Sequence, residues 1–468
     1  MAATFHLREA SLLVIDPGSR FTRAGLADYQ NPPALTVLSR IPQKDLLAHQ
    51  EAAAAAAALT TDTTIIGTTD TTITETTTSA SDSSAPKTLS VDTTINPNAT
   101  DMALDSLAAI PDQTAHPVTS DVPKAITTIE HDPTALSASP DSESWLWPIQ
   151  AGRVVDWDML RVLWRNILVN HCGVERATNN NPVLLTVPIS WSRDDQNNAT
   201  QILFEYVNTP GIYLLDQPVA ALYGAGVTSG LVVDIGHTTT DISPVFENTV
   251  IHSATVSIAL GGQDIEAYII KLMKADPAFA SSFGHLINID FARAFIQSAA
   301  FLAPMTSTAV LPDIVFAYQG QSIKVGAWRG KVMDVLFNPE LINKEVPGLH
   351  EAMHLVVSNS CEPEKRLFLW ENILLTGGCS LIKGIKERIE AELARLLAAS
   401  ETSSEFQAKD VKWTKLPDYF VEFKDRPCDA SFLGGSIAAK LVFTNGGLYV
   451  TRSDYDEYGP AVSFLKSG

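Results

Sequence analysis

Two segments of the chain carry the same set of residues able to cradle a phosphate. LLVIDPGSRFT places Asp16, Gly18, Ser19 and Thr22 after an apolar run. LVVDIGHTTTD repeats the pattern from Asp16 to Asp234, an offset of 218, with Gly236 and Thr240 following. An apolar run ending in Asp-x-Gly-x-x-x-Thr is how a buried strand delivers a tight turn beneath a nucleotide: glycine allows close backbone approach, and hydroxyls and N–H groups face the phosphate oxygens. A single copy is an ordinary turn in many α/β proteins. A second matched pair lies in the same order, PVLLTVP from Pro182 and NILLTGG from Asn372, an offset of 190. It adds Gly377 and Gly378 to the candidate site and implies a duplicated strand and helix architecture, two lobes facing each other across a cleft.

The elements that must position these loops are legible around them. Strands are expected at Val183 to Val187 and Ile373 to Thr376, and a hairpin at FAYQGQSIKVG. Met159, Val162, Leu163, Ile167 and Leu168 recur at helical spacing, with Asp156 or Asp158 as the cap. Further helices are expected at about Asp194 to Val207 and Ile382 to Leu397. From about Pro33 to Glu143 the character changes to Thr, Ser, Ala and Asp, with repeated DTT triplets and seven alanines at Ala52 to Ala58. Residues 51–143 hold 14 acidic residues against Lys87 and Lys124, a net of −12 out of the chain's −20. Such a composition buries too little apolar surface to offset its ordering entropy, and it reads as a mostly disordered insertion with a short helix at the alanines.

At 468 residues the chain suits two domains with insertions. A net charge of −20 argues against direct nucleic-acid contact. Cys172, Cys361, Cys379 and Cys428 lack C-x-x-C spacing and read as reduced buried thiols. There is no apolar run long enough to span a membrane, and the start, with Arg8, Glu9 and Asp16 around its apolar run, does not read as a signal peptide.

These motifs carry a family resemblance. LLVIDPGSRFTRAGLA resembles the first phosphate loop of actin, LYGAGVTSGLVVDIGHTTTDISP the stretch through the second, and WENILLTGGCSLIKGIKERIEAEL the strand, Gly-Gly and helix beneath the adenine. SFLGGSIAAKL and DYDEYGPAV look like the end of an actin chain. The resemblance implies an actin-like duplicated α/β ATPase fold with ribonuclease H-like lobes, the insertion replacing the small outer subdomain and its polymerisation loop. The implied layout is residues 1–32 for the start of the first lobe, 33–143 for the insertion, 144–230 for the rest of that lobe, 231–427 for the second, and 428–468 for the return to the first. SWSRDDQ, HTTTD and KLPDYFVEFKD look closest to the fungal nuclear actin-related protein nine, a subunit of the SWI/SNF and RSC chromatin remodellers.

The same comparison implies a cleft unsuited to hydrolysis. Asp16, Gly18 and Ser19 match the first loop, but its second glycine is Arg20, which either crowds a phosphate or pairs with one, and its lysine is Arg23. Gln217 falls where actin keeps its water-orienting glutamine. After Asp234 and Gly236, an Asp and a Gly are replaced by His237 and Thr238, weakening any magnesium shell; Asp241 stands for actin's histidine, and Gln297 and Ser298 for the Lys-Glu pair at the nucleoside. No Ser or Cys nucleophile with a matching acid accompanies His237. The expectation is therefore a non-enzyme that requires no cofactor, with ATP bound weakly if at all. The resemblance assigns function to a partner-helix groove, Tyr223, Gly226 and Thr228 on one wall and Leu433, Ile437 and Leu441 on the other, at i, i+4 and i+8. Its expected occupant is the helicase/SANT-associated helix of a remodeller ATPase, beside a second nuclear actin-related protein in a heterodimer, in the nucleus. Trp413, Tyr419, Phe420 and Phe423 are expected either as local core or as a partner surface. The alternative is an ATP-binding, polymerising actin-like cytoskeletal protein.

Overall fold

Each Asp-x-Gly segment closes the central strand of its own sheet, and the two sheets have the same plan. The computed structural model describes residues 11–65, 145–298, 313–360, 363–398, 408, 410–444 and 448–463. It comprises two units, one of residues 1–40, 125–142 and 146–468, the other of residues 41–124 and 143–145. In the smaller unit the main described element is helix α1 (Gln43–Ile65). It carries Ala52 to Ala58, and alanine is the residue with the highest helix propensity. The sequence expected only a short helix there; the observed one is 23 residues long. The bulk of the expected insertion lies outside the described residues.

In the larger unit the first sheet has β1 (Leu13–Asp16) antiparallel to β2 (Phe21–Leu26) and parallel to β4 (Val183–Val187). Beyond β2 lies β3 (Leu35–Leu38); beyond β4 lie β5 (Gly211–Asp216) and the late strand β12 (Val450–Thr451). The second sheet repeats this: β6 (Gly230–Ile235) runs antiparallel to β7 (Thr240–Phe246) and parallel to β10 (Ile373–Thr376). β7 pairs β8 (Thr249–Val250) and β9 (Val256–Ile258), and β10 pairs β11 (Trp413–Thr414). β1, β4 and β10 are buried at every position, as strands covered on both faces must be. β3 falls inside the stretch assigned by sequence to the insertion from residue 33. Its residues LTVL pair with β2 from Phe21↔Leu38 to Ala24↔Leu35, so the first lobe runs at least to Leu38; the Thr-rich composition begins only at Thr60, and this strand with β-branched residues precedes it.

Helix α2 (Trp157–Arg165) is capped by Asp156, whose carboxylate accepts from the N–H groups of Asp158 and Met159. Helix α3 (Arg193–Gln201) starts on a capping box between Ser192 and Asp195. Two helices link the sheets: α4 (Gln217–Gly224) and the later α8 (Ala430–Thr444). They pack so closely that a side chain at Gly434 would meet the Ala220 carbonyl and one at Gly224 the Ala430 carbonyl. Their apolar residues form one core with Leu12, Val14 and Leu184 of the first lobe and Val232, Val245 and Leu374 of the second. The second lobe has its own core beneath α5 (Gly262–Ala275), α6 (Ile289–Ser298) and α7 (Ile385–Ala398), including Ile265, Ile269, Phe291, Phe295 and Ile389. The hairpin Ile314–Tyr318 with Gln321–Val325 completes it.

Candidate functional site

The β1–β2 and β6–β7 turns face one cavity of about 420 Å³, with Gly377, Gly378, Ile382 and Gln297 also in its lining. This is within the usual range for small-molecule sites. Asp16, Gly18, Ser19, Asp234, Gly236, Gly377 and Gly378 all line it, so the residues picked from the sequence are brought together. Ser298 closes α6, but its side chain lies outside the described residues.

The glycines serve the turns first. A Cβ on Gly18 would lie 2.7 Å from the Phe21 carbonyl oxygen, and one on Gly236 would lie 2.9 Å from that of Thr239, the same i+3 contact in both loops. Gly377 has φ +84, and a side chain there would strike Asp234 and the Ile235 carbonyl. Of Gly18, Gly236, Gly377 and Gly378, only Gly378 has open space beside its backbone. The terminal threonines do not face a ligand, contrary to the expectation for their hydroxyls. Thr22 is fully buried and bonds Ser39 Oγ at 2.9 Å; Thr240 is buried and donates to the Leu260 carbonyl at 2.7 Å. Each ties its loop to the neighbouring chain.

Both carboxylate oxygens of Asp16 have partners. Thr186 Oγ1 donates to Asp16 Oδ1 at 2.7 Å and Gln217 Nε2 to the same oxygen at 2.9 Å, while Arg23 lies 3.5 Å from Oδ2. Burial pushes the Asp16 carboxyl up, and Arg23 and the two donors pull it back. Arg23 also donates to Asp429 at 2.7 Å; burial would depress its guanidinium, but Asp429 and Asp16 outweigh this and raise it. Gln217 has a second bond to the Pro17 carbonyl, so its amide is committed to the loop.

The second loop is arranged differently. Asp234 sits across the ladder from Asp241, and burial, Asp241 and Asp16 together raise its carboxyl to about 7. Asp241 Oδ1 and His237 Nδ1 are buried without hydrogen-bond partners. Burial, with Arg20 and Arg293 adding to it, lowers the His237 imidazole to about 3, so it is neutral at pH 7. No group of three or more His, Cys, Asp or Glu side chains placed to hold a metal ion occurs among the described residues.

Glu266 and Arg293, which the sequence reading missed, stand at the same end of the cavity. Glu266 on α5 is 2% exposed and accepts from Arg20 Nη1 at 2.7 Å and from Arg293 Nε at 3.1 Å. The signal was an acid inside the otherwise apolar helical run IEAYII. Asp429, buried ahead of α8, was missed in the same way.

The proposed groove residues divide. Gly226, Thr228 and Leu441 are exposed, Leu441 at 61%; Tyr223 and Ile437 are half-buried against the inter-sheet core. Leu433 is fully buried, which corrects its assignment to a groove wall. α8 is clamped between α4 and the first sheet, and Leu433 points into that contact. The aromatic cluster divides too. Phe423 is core and Phe420 packs against it, whereas Tyr419 is 73% exposed, its hydroxyl beside Gly226.

Two sheets of one topology, each presenting an Asp-x-Gly turn to a shared cleft and joined through two packed helices, define a duplicated fold of the ATPase type. A family model described as Actin matches residues 7–284 and 289–466. Actin-related protein 7 of Arabidopsis thaliana is 30% identical over 368 residues, 77% of this chain and 95% of that protein. Actin-related protein 7 of Oryza sativa subsp. indica is 30% identical over 325 residues, 69% of this chain and 86% of that protein. An actin-like protein of Neurospora crassa is 28% identical over 331 residues, 66% and 79% of the two chains. The chain belongs to the actin family.

Proposed function

We propose that this protein is a non-catalytic actin-related subunit of a SWI/SNF-type chromatin-remodelling complex in the nucleus. In that role it binds the helicase/SANT-associated helix of the remodeller ATPase beside a second actin-related protein and regulates its activity. The observation that carries the reading is the outer edge of α8. On a helix buried along most of its length, Ile437 and Leu441 are left accessible one turn apart. An aliphatic pair at that spacing suits the apolar face of an amphipathic helix. The similarity to proteins named actin-related protein 7 supports the general class, and the nuclear complex is the finer step proposed here.

The cleft supports a binding role over hydrolysis. The residues do not fit a magnesium-bound triphosphate: Asp234 and Asp241 repel each other, Gln217 is held by Asp16 and Pro17, and Glu266 brings a buried carboxylate to the loop end. Phosphoryl transfer relies on positioned charge around the transferring group, and removing such groups costs several kcal/mol of transition-state stabilisation.

The test is co-purification of the full chain with the isolated ATPase helix. Leu441→Asp, at a side chain 61% exposed, is expected to abolish capture while leaving the circular dichroism spectrum and Tm unchanged. Retained capture would refute the groove assignment. Leu433 is unsuitable for this test, because a buried aspartate there would unfold the helix contact. ATP turnover or pelleting of the purified protein on centrifugation would favour the polymerising alternative.

A further inference from the structure

We propose that this protein ties its own two lobes together across the cleft, through Ser19–Thr238 and the Arg20–Glu266–Arg293 bridge, in the place where a bound polyphosphate would otherwise join the two loops. Ser19 and Arg20 lie in the β1–β2 turn of the first lobe. Thr238 lies in the β6–β7 turn, and Glu266 and Arg293 on α5 and α6, all in the second. The hydroxyls of Ser19 and Thr238 meet at 2.9 Å, and the Arg20 guanidinium reaches Glu266 at 2.7 Å.

Three features make these contacts a tie. They join residues that lie 219 and 246 positions apart in sequence, so each bond closes a long-range contact between lobes. Glu266 is buried and rests on Arg293 at 3.1 Å, which fixes the carboxylate that Arg20 must find. An arginine on a buried carboxylate that a second arginine already holds in place is a stiff link, because the acceptor is fixed in advance and separation takes one of two cations from a buried charge. The same residues also select against polyphosphate. Glu266 Oε2 is buried without a donor, and a phosphate brought to Ser19 and Thr238 would have to displace their mutual bond next to that carboxylate. The tie does not depend on which partner the outer surface takes.

The experiment is hydrogen–deuterium exchange on the full chain, with Mg-ATP as the probe. Wild type is compared with Thr238→Val, Arg20→Gln and the double variant, and with Thr238→Ser and Arg20→Lys, which keep a hydroxyl and a cation. Without nucleotide, wild-type loops 17–22 and 236–240 should exchange slowly, and Mg-ATP should add no protection. The double variant should raise exchange in both loops by about tenfold, with strands 183–187 and 230–235 unchanged, while the two conservative variants stay near wild type. If the double variant loses protection everywhere, the single variants decide, each expected to loosen both loops by about threefold. Wild-type loops that exchange freely until Mg-ATP is added would overturn the proposal, as would variant loops that remain as protected as wild type.

Discussion

The two phosphate-type loops share a backbone and differ in their electrostatics. In the first, Asp16 faces Arg23 across β1 and β2; in the second, the equivalent register position sets Asp234 against Asp241. Opposite charges across a ladder stabilise it and like charges do the reverse. The neighbouring strand follows the same division. Thr186 of β4 gives its hydroxyl to Asp16, whereas Thr376 of β10, paired in register with Asp234, gives its hydroxyl to the Pro427 carbonyl instead. The first loop is a closed network; the second keeps buried polar atoms without partners, His237 Nδ1 and Asp241 Oδ1. Duplication fixed the strands and glycine turns, where packing leaves no alternative, and the polar side chains diverged around them.

The largest effect should come from making the second half copy the first where their backbones part. Val187 and Gly377 are counterparts at the ends of β4 and β10, but only Gly377 has positive φ, and a Cβ added there would strike Asp234 and the Ile235 carbonyl. Gly377→Val is therefore expected to destabilise the protein by about 4 kcal/mol or more, through backbone strain and overpacking. Urea unfolding followed by tryptophan fluorescence measures it. A loss below about 1 kcal/mol, within the range of ordinary surface substitutions, would mean the two strand ends are interchangeable.

The sequence made the strands and turns legible because each is signalled locally, by an apolar run that stops at Asp-x-Gly. Strand limits at Val183 and Val187 and at Ile373 and Thr376 coincide with those expected. What the sequence could not reveal was the far end of each polar bond. Thr22 and Thr240 sit in a phosphate-loop pattern yet bond Ser39 and Leu260, chosen by how neighbouring chain segments pass. The Leu433, Ile437 and Leu441 stripe was correct as a period, but a period does not give depth. Gly434 lets α8 sink onto α4, so the stripe runs from full burial at Leu433 to exposure at Leu441. Glu266 was overlooked because a single acid in an apolar helix has no motif; its importance comes from Arg20, reaching across from the other lobe.

Charge substitutions at the paired ladder positions should have opposite signs. Arg23→Gln leaves Asp16 and Asp429 without their shared cation and is expected to cost about 3 kcal/mol at pH 7. Asp241→Asn removes a like charge from Asp234 and is expected to stabilise by about 1 kcal/mol at pH 8, above the value of about 7 for Asp234. Chemical denaturation at the two pH values gives both numbers. Equal destabilisation by the two variants would show that the second ladder pair is not repulsive.

The most specific prediction concerns pH between 6.5 and 5. Asp234 has a folded pKa of about 7, above the ordinary 3.8, so the native state takes up a proton first and Asp234 makes folding more favourable as pH falls through this window. His237, at about 3 against an ordinary 6.5, acts in the opposite direction. The unfolded chain protonates first, so stability is lost as pH falls from 6.5 towards 3. Each contributes a slope of about 1.4 kcal/mol per pH unit, and in the wild type these two contributions largely cancel. Substituting one residue at a time should expose the other: relative to wild type, His237→Gln gains about 2 kcal/mol on going from pH 6.5 to 5, and Asp234→Asn loses about the same. Thermal unfolding of the three proteins at both pH values tests this, and parallel curves would show that neither group is held far from its ordinary pKa in the closed cleft.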